Sequence, residues 1–235
     1  MPNISILFED ENLLAIDKPA GLLVHDGESG KEKTVASWFL LAYPEAKGVG
    51  DAEDSARSGV VHRLDKDTSG VMLLAKNQET FLYLKRLFQD RKIKKEYRAF
   101  VYGKLKQDFG TIDRAIGRSP RDFRRWLAHP RARGKKRDAI TEYEVLKRGG
   151  DFSYLRVLPQ TGRTHQIRVH FKAINHPIVC DSLYAENMPP ALGFARLALH
   201  SHKVSFSLPR EGGAIIIEAP LPADFKVAEE AIAKL

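Results

Sequence analysis

The sequence predicts an α+β fold in which strands outnumber helices. Short apolar runs of strand type are more frequent than amphipathic stretches of helix type. The two kinds of stretch do not alternate strictly, as they would in a doubly wound parallel sheet. The 235 residues can bury a stable core, and no linker rich in Gly, Pro or Ser divides them. We therefore expect one domain over residues 1–235.

The predicted strands are short runs rich in β-branched, aromatic or aliphatic residues and bounded by turn signals. The first two enclose the polar turn FEDEN, and the third is a continuous apolar run of the kind found in buried strands. The predicted strands are residues 4–8, 13–17, 70–76, 96–102, 140–145, 154–158, 204–208 and 214–219.

Three stretches predict helices. Residues 34–42 begin at Thr34, which is suited to an N-cap, and residues 78–92 place apolar side chains at helical spacing. A third helix follows Gly162, with Thr164 as its expected cap, and it ends before Pro177.

Composition excludes a disordered tail, a collagen-like rod and a disulfide scaffold, since 43% of the residues are hydrophobic and Cys180 is the single cysteine. Acidic residues at the N-terminus precede the apolar ones, unlike a secretory signal. No apolar run approaches the ~20 residues of a membrane span. We expect a cytoplasmic monomer that does not bind membranes. An organelle remains the alternative if an import signal is present.

The net charge of +8 is confined to one stretch, the basic segment of residues 118–137. It contains nine Lys and Arg and one Asp, with Phe123 and Trp126 among them. Clustered cations with interleaved aromatic residues are typical of nucleic-acid binding, and the alternative is a solvated loop. The candidate RNA-binding residues are Arg118, Arg121, Arg124, Arg125, Trp126, Lys135, Lys136 and Arg137.

The segment HRLDKDTSG (residues 62–70) places acidic, basic and hydroxyl groups between a polar loop and an apolar strand, a common position for catalytic residues. Its alternative is an Asx or Ser/Thr turn. His62, Asp65 and Asp67 could also be metal ligands, but the sequence contains no second cluster of histidine and carboxylate residues at ligand spacing to support a metal site. A serine hydrolase is also disfavoured, because Ser69 lacks the G-x-S-x-G context.

The segment TGRTHQIRVH (residues 161–170) places Arg168 beside the apolar side chains Ile167 and Phe171 on the third helix. A guanidinium in that position needs a carboxylate or phosphate partner, and Asp65 is an available carboxylate. The alternative is a structural ion pair. For the two histidines of this segment, at 165 and 170, the alternative to a functional role is that they are polar groups whose hydrogen bonds are satisfied within the protein.

HRLDKDTSG matches the pattern H-R-L-D-x-x-T-S-G and resembles the signature of the RluA-type pseudouridine synthase family. Other stretches, in the family's order, also resemble its elements, and the resemblance extends over about residues 4–221. These stretches are KPAGLLVH (18–25), KEYRAFVYG (95–103), TGRTHQIRVH (161–170), HPIVCD (176–181) with Tyr184, and LHS (199–201).

The chain departs from the family pattern in two places. Cys180 stands where the family usually has glycine, a residue that often marks a positive φ. We also expect the chain to begin directly with the catalytic domain, without the small N-terminal RNA-binding domain of some members. The basic segment is a candidate to replace part of that domain's role.

The resemblance implies the pseudouridine synthase fold, a largely antiparallel mixed sheet flanked by helices and loops with a central active-site cleft. It implies conversion of uridine to pseudouridine in a stem-loop of ribosomal or transfer RNA, with base flipping and with neither cofactor nor metal. Asp65, Tyr97 and Arg168 match the catalytic positions. The sequence leaves open whether Asp65 attacks the sugar or removes a proton from it.

Three further residues are implied to bind the substrate. Arg63 matches the residue that enters the space vacated by the flipped base, Ile167 would pack on the base, and Thr68 belongs to the same signature. Two other functions remain as alternatives. One is an inactive RNA-binding protein of the same fold, and the other is a metal-dependent nuclease or hydrolase.

Overall fold

The computed structural model describes residues 3–25, 33–51, 57–207 and 213–235. The chain forms two compact units. The first unit consists of Met1–Lys94 and Ser201–Pro220, and the second consists of Lys95–His200 and Leu221–Leu235.

Four helices and twelve strands make up the regular structure of the described residues. The helices are α1 (Val35–Ala42), α2 (Gln78–Gln89), α3 (Gln166–Ala173) and α4 (Ala223–Ile232). The strands are β1 (Ser5–Glu9), β2 (Leu13–Lys18), β3 (Ser69–Ala75), β4 (Lys94–Tyr102), β5 (Phe109–Asp113), β6 (Ile116–Arg118), β7 (Trp126–Leu127), β8 (Arg133–Arg137), β9 (Ile140–Gly149), β10 (Phe152–Pro159), β11 (Leu199–Ser207) and β12 (Ala214–Glu218). A short 3-10 helix spans Pro44–Ala46.

The sheet of the first unit is built around β3, whose seven residues are all buried. β1 pairs antiparallel with β2, and β2 pairs antiparallel with β3. β11 follows β3 in the strand order, and β12 pairs antiparallel with β11. The buried strand predicted at residues 70–76 is therefore confirmed, and it begins and ends one residue earlier, at Ser69 and Ala75. The last residue of the predicted strand 204–208 lies outside the described residues.

Gly70, at the end of the HRLDKDTSG segment, allows β3 to lie close to Ser201. Its φ is 111°, and a Cβ at this position would lie 2.1 Å from the Ser201 carbonyl oxygen. A side chain here would force the two backbones apart. The glycine of the signature thus has a packing role that is independent of any chemistry.

Each of the two helices of the first unit begins directly after a residue whose side chain caps it. Thr34 forms a capping box with Ser37, as its position before an apolar run predicts. The Asn77 side chain accepts a hydrogen bond from the Thr80 N–H at the start of α2. α2 ends at Gln89, three residues earlier than predicted, and the chain passes through a positive φ of 58° at Arg91.

The sheet of the second unit has the order β4-β10-β9-β5, and every pairing in it is antiparallel. An aromatic cluster fills its core, in which Phe100 stacks on Tyr154 with ring centroids 4.3 Å apart. Phe194 and Phe225 contact the same Phe100 ring. Phe225 anchors α4, a helix that the sequence analysis did not predict.

The third predicted helix is present, but Thr164 is not its cap. α3 begins after His165, which has a left-handed φ of 54° and makes no side-chain capping bond. The Gln166 side chain accepts the Arg163 N–H instead, at 3.0 Å. The helix is therefore confirmed, and it begins one residue later than a cap at Thr164 predicts.

The basic segment forms a small sheet with the strand order β7-β6-β8. Trp126 of β7 pairs with Arg118 of β6, and Arg118 pairs on its other side with Arg133 of β8. These strands were not predicted, because the charged side chains of the segment give no periodic pattern of apolar residues. None of the described helices combines the length and apolar character needed to cross a bilayer.

Cys180 has a φ of 57°, the conformation that glycine adopts most easily. The family's glycine therefore marks a positive φ here, and this chain retains that backbone with a cysteine. Its Sγ lies 3.2 Å from the Phe194 carbonyl oxygen.

We predict that Cys180→Gly is more stable than Cys180→Ala by about 1 kcal/mol, because alanine retains the Cβ that opposes a left-handed backbone. Both variants lose the Sγ contact, so their difference isolates the backbone effect. Urea denaturation measures it. Equal stability of the two variants would contradict the left-handed assignment.

Candidate active site

Asp65 lies at the start of a turn in the first unit. The Thr68 N–H donates to the Asp65 carbonyl at 3.1 Å, and Asp65 itself is half-buried. Leu64 is buried before it, whereas Arg63 is exposed. Of the two residues of this turn that were predicted to bind the substrate, Arg63 is exposed to solvent, whereas Thr68 is only 2% exposed.

Lys18 holds this turn from beneath. Its side chain is completely buried, and its Nζ donates to the carbonyls of Pro19, Leu22 and Lys66 at 2.8, 2.9 and 2.9 Å. Lys66 directly follows Asp65, and its carbonyl also accepts the Gly21 N–H at 2.9 Å. The KPAG turn and the HRLDKDTSG segment are thereby joined.

Lys18 was predicted only as part of a matching element. A usable signal was present, because this lysine ends a strand that is apolar apart from Asp17 and precedes a Pro–Ala–Gly turn whose carbonyls need donors. A buried ammonium is tolerated where several hydrogen bonds replace its hydration.

His62 is held by the backbone of β3. Its Nε2 accepts the Leu73 N–H at 2.8 Å, and its ring stacks on Phe88 with centroids 4.6 Å apart. The Nε2 lone pair is thus directed at a backbone donor and not at a metal. Among the residues that the structure describes, no group of three His, Cys, Asp or Glu side chains is arranged to hold a metal ion.

The second unit carries Tyr97, Ile167 and Arg168. Tyr97 is half-buried on β4 and packs against the hydrophobic core of this unit. Ile167 and Arg168 lie in the first turn of α3 and are 6% and 5% exposed. Burial of an arginine to this degree requires ionic partners.

Arg168 forms a buried bidentate pair with Asp181. Its Nε donates to Oδ2 at 2.7 Å and its Nη2 donates to Oδ1 at 2.8 Å, while the guanidinium lies 5.2 Å from the centre of the Tyr184 ring. Asp181 also accepts the N–H groups of Leu183 and Tyr184. Asp65 was the predicted carboxylate partner, and Asp181 was not predicted, although both residues belong to matching elements.

Polar side chains attach α3 to the start of β9. Gln166 accepts from Thr161 and donates to the Ile140 carbonyl, at 2.6 and 2.9 Å. The His170 ring nitrogens lie 2.9 Å from the Thr141 hydroxyl and 3.0 Å from the Arg114 carbonyl. Burial lowers the pKa of His170, which favours a neutral ring in this position. His170 is therefore a satisfied polar group in the second unit.

Some cations of the basic segment bind groups within the protein. The Arg118 guanidinium lies 4.5 Å from the centre of the Trp126 ring. Arg124 forms two side-chain hydrogen bonds with Asp122, which, with a backbone bond, lower the pKa of that carboxyl to about 2. Arg125 pairs with Glu186.

Comparison with known proteins gives the family. Residues 12–173 match the RNA pseudouridylate synthase family. An RNA pseudouridine synthase from Synechocystis is 39% identical over 223 residues, which cover 95% of this chain and 67% of that protein. The ribosomal large subunit pseudouridine synthase D of Borreliella burgdorferi is 40% identical over 205 residues, covering 87% of this chain and 61% of that protein.

Solved structures agree with the fold. Human RNA pseudouridylate synthase domain containing 4 superposes with a TM-score of 0.76 at 25% identity, covering 97% of this chain and 93% of that one. Human RNA pseudouridylate synthase domain containing 1 gives 0.74 at 26% identity, covering 94% and 84%. The chain belongs to the RNA pseudouridylate synthase family, the class of isomerases that converts uridine in RNA to pseudouridine. The resemblance in the sequence motifs and the α+β, largely antiparallel fold are confirmed.

We predict that Arg168→Ala lowers the free energy of unfolding by about 3–5 kcal/mol, because it leaves the Asp181 carboxylate buried without its cation. The double variant Arg168→Ala/Asp181→Ala should lose less than the sum of the two single losses. Chemical denaturation of all four proteins measures the coupling. Additive losses would show that the pair contributes nothing as a pair.

We predict that Lys18→Met lowers the free energy of unfolding by more than about 2 kcal/mol, since three backbone carbonyls lose the buried ammonium as a donor. Lys66→Met is the matched control: its side chain is exposed, and its carbonyl remains in place. Substitution at an exposed position should change stability by no more than about 0.5 kcal/mol. Similar losses in both variants would contradict the role assigned to the Lys18 ammonium.

Proposed function

We propose that this chain isomerises a uridine of large-subunit ribosomal RNA to pseudouridine, with Asp65 as the catalytic carboxylate. The observation that carries the proposal is the turn at Asp65, which places a half-buried carboxylate on a loop anchored by the buried Lys18. Support for the RNA class comes from relatives in Borreliella burgdorferi, Nitrosomonas europaea and Haemophilus ducreyi, each called ribosomal large subunit pseudouridine synthase D.

The reaction is an isomerisation and needs no net supply of atoms or electrons. The bond from the sugar C1′ to N1 of uracil breaks, and a bond from C1′ to C5 forms. N1 gains a proton and C5 loses one. A carboxylate assists either by attacking C1′ or by removing a proton from C2′, and Asp65 is assigned this role by its match to the signature.

Tyr97 and Arg168 are proposed for the other catalytic roles. A tyrosine ring can stack on uracil while its hydroxyl assists removal of the C5 proton. An arginine keeps a neighbouring carboxylate ionised and oriented. A guanidinium carries five N–H donors, so one arginine can bind more than one acceptor, and Asp181 is one acceptor of Arg168.

A uridine within a folded RNA must leave its stack before it can react, at a cost of a few kcal/mol. The proposal assigns Arg63 to the vacated space, because its side chain is exposed next to Asp65. Ile167 would pack on the flipped base. Thr68 is assigned to substrate binding by the signature alone, since its side chain is almost fully buried.

A second candidate function is RNA binding without catalysis. The presence of Asp65, Tyr97 and Arg168 favours the enzyme, since an inactive relative would be expected to have lost at least one of them.

Transfer RNA is the alternative substrate class. We also propose a cytoplasmic monomer that needs neither metal nor cofactor, and activity in excess chelator tests the metal part.

We predict that Asp65→Asn abolishes turnover while RNA binding is retained, because asparagine preserves the shape of the side chain and removes its charge. Tritium release from a large-subunit ribosomal RNA transcript labelled at uracil C5 measures turnover, and transfer RNA transcripts tested in parallel identify the substrate class. Asp67→Asn makes the same chemical change two residues away and serves as the control.

Residual turnover of Asp65→Asn above about a thousandth of wild type would exclude Asp65 as the catalytic carboxylate, since losing the reacting group should cost far more than losing a positioning residue. Binding of both RNA classes without any turnover by the wild-type protein would favour the inactive RNA-binding protein.

A further inference from the structure

The nine cations of the basic segment are divided by their contacts into two groups. Four of them are engaged with groups of the protein, and each of these contacts holds part of the β6–β8 sheet or its connections. The engaged cations are Arg118 on Trp126, Arg124 with Asp122, Arg125 with Glu186 and Lys136 with the Pro130 carbonyl.

The other five cations point into solvent. All five residues of β8 are exposed, and so are Arg121 and Arg131. Within the described part of the chain, no hydrogen bond or ion pair engages the side chains of this second group, which are Arg121, Arg131, Arg133, Lys135 and Arg137. An exposed cation that forms no internal contact can bind a phosphate without first losing a partner.

Exposed cations are concentrated at the end of β8. Lys136 reaches the Pro130 carbonyl at 2.8 Å, whereas Lys135 and Arg137, on either side of it in the chain, belong to the second group. The pairing with β6 is irregular here, because Ile116 pairs with Arg137 and Arg118 pairs with Arg133, which leaves extra residues of β8 in a bulge. Exposed cations therefore follow one another within one bulged stretch of the strand.

The two aromatic side chains of the segment also differ in whether they contact the rest of the protein or are exposed to solvent. Trp126 is half-buried, packs against the cluster that contains Ile116 and Val169, and has Arg118 over its ring. Phe123 is 80% exposed. Its carbonyl accepts a hydrogen bond from Arg118 Nη1 at 2.9 Å, which holds the backbone at this position.

We propose that β8 and the connection carrying Phe123 form an RNA-binding face, in which Arg133, Lys135 and Arg137 bind phosphates and Phe123 stacks on an unpaired base. The proposal rests on the proposed function and specifies how its RNA is held. Single-stranded loops are the favoured occupant, because stacking on an aromatic side chain requires a base that is free of its own stack. In this proposal Trp126 and Arg118 stabilise the small sheet, and the indole ring of Trp126, which is covered by Arg118, does not contact RNA.

The first test compares two triple variants that remove the same charge. Arg133→Gln/Lys135→Gln/Arg137→Gln alters the proposed face, and Lys104→Gln/Lys106→Gln/Lys234→Gln alters three exposed cations elsewhere in the second unit. Affinity for an unmodified large-subunit ribosomal RNA transcript is measured over a range of salt concentrations. The first variant should reduce the slope of log affinity against log salt by about 2–3, at roughly 0.7–0.9 per phosphate.

The control triple variant should retain most of the wild-type slope. Equal slopes for the two triple variants would overturn the proposed face, because the charge would then act without regard to its location. The control triple variant should also retain the wild-type single-turnover rate at saturating RNA, because its three lysines lie outside the proposed face.

The second test concerns Phe123. Phe123→Leu should weaken binding about fivefold or more without changing the salt slope, whereas Phe123→Tyr should bind as wild type, because stacking needs an aromatic face. Wild-type affinity for Phe123→Leu would overturn the stacking assignment. Tritium release by the wild-type protein on the same transcript distinguishes a failure of this face from a failure of the proposed isomerase.

Discussion

The buried ammonium of Lys18 is the interaction on which the candidate catalytic loop depends. Removing a charge from water costs several kcal/mol, and three carbonyl acceptors replace the lost hydration. One of those acceptors belongs to Lys66, so the same ammonium determines where the backbone next to Asp65 lies. Gly70 completes the arrangement, because only a residue without a Cβ lets β3 follow the loop so close to Ser201.

The second unit uses the same principle with a different pair. Arg168 is held by a bidentate carboxylate, and the Asp181 oxygens also accept backbone N–H groups of the following turn. Because the bidentate bond to Asp181 already fixes the guanidinium, the side chain loses little further conformational entropy when it binds a substrate or a second carboxylate. Both units thus carry a buried cation whose backbone or carboxylate partners orient residues of the matching motifs.

The parts of the fold that the sequence predicted are those in which local pattern and burial coincide. The apolar run of β3, the Thr34 cap and the amphipathic α2 were predicted correctly. The charged β8 was not recognised as a strand, because its five residues are all exposed and carry no apolar alternation.

The candidate site was predictable to a similar extent. Motif spacing led to Asp65 and Arg168, whereas the Arg168–Asp181 and Lys18–Lys66 contacts join residues distant in sequence, which spacing along the chain cannot reveal. The left-handed backbone at His165 likewise depends on Gln166 bonding to Thr161 and Ile140, and not on a local capping residue. At Cys180 the departure from the family pattern left the backbone conformation open, and the structure shows that the chain keeps a positive φ of 57° there.

We propose that the chain modifies a defined uridine in large-subunit ribosomal RNA. The decisive measurement is the mapping of pseudouridines at single-nucleotide resolution in total RNA from cells with and without the gene. We expect one or a few pseudouridines of large-subunit ribosomal RNA to revert to uridine when the gene is removed and to return when it is restored. Identical maps in the two strains, or a loss confined to another class of RNA, would contradict it.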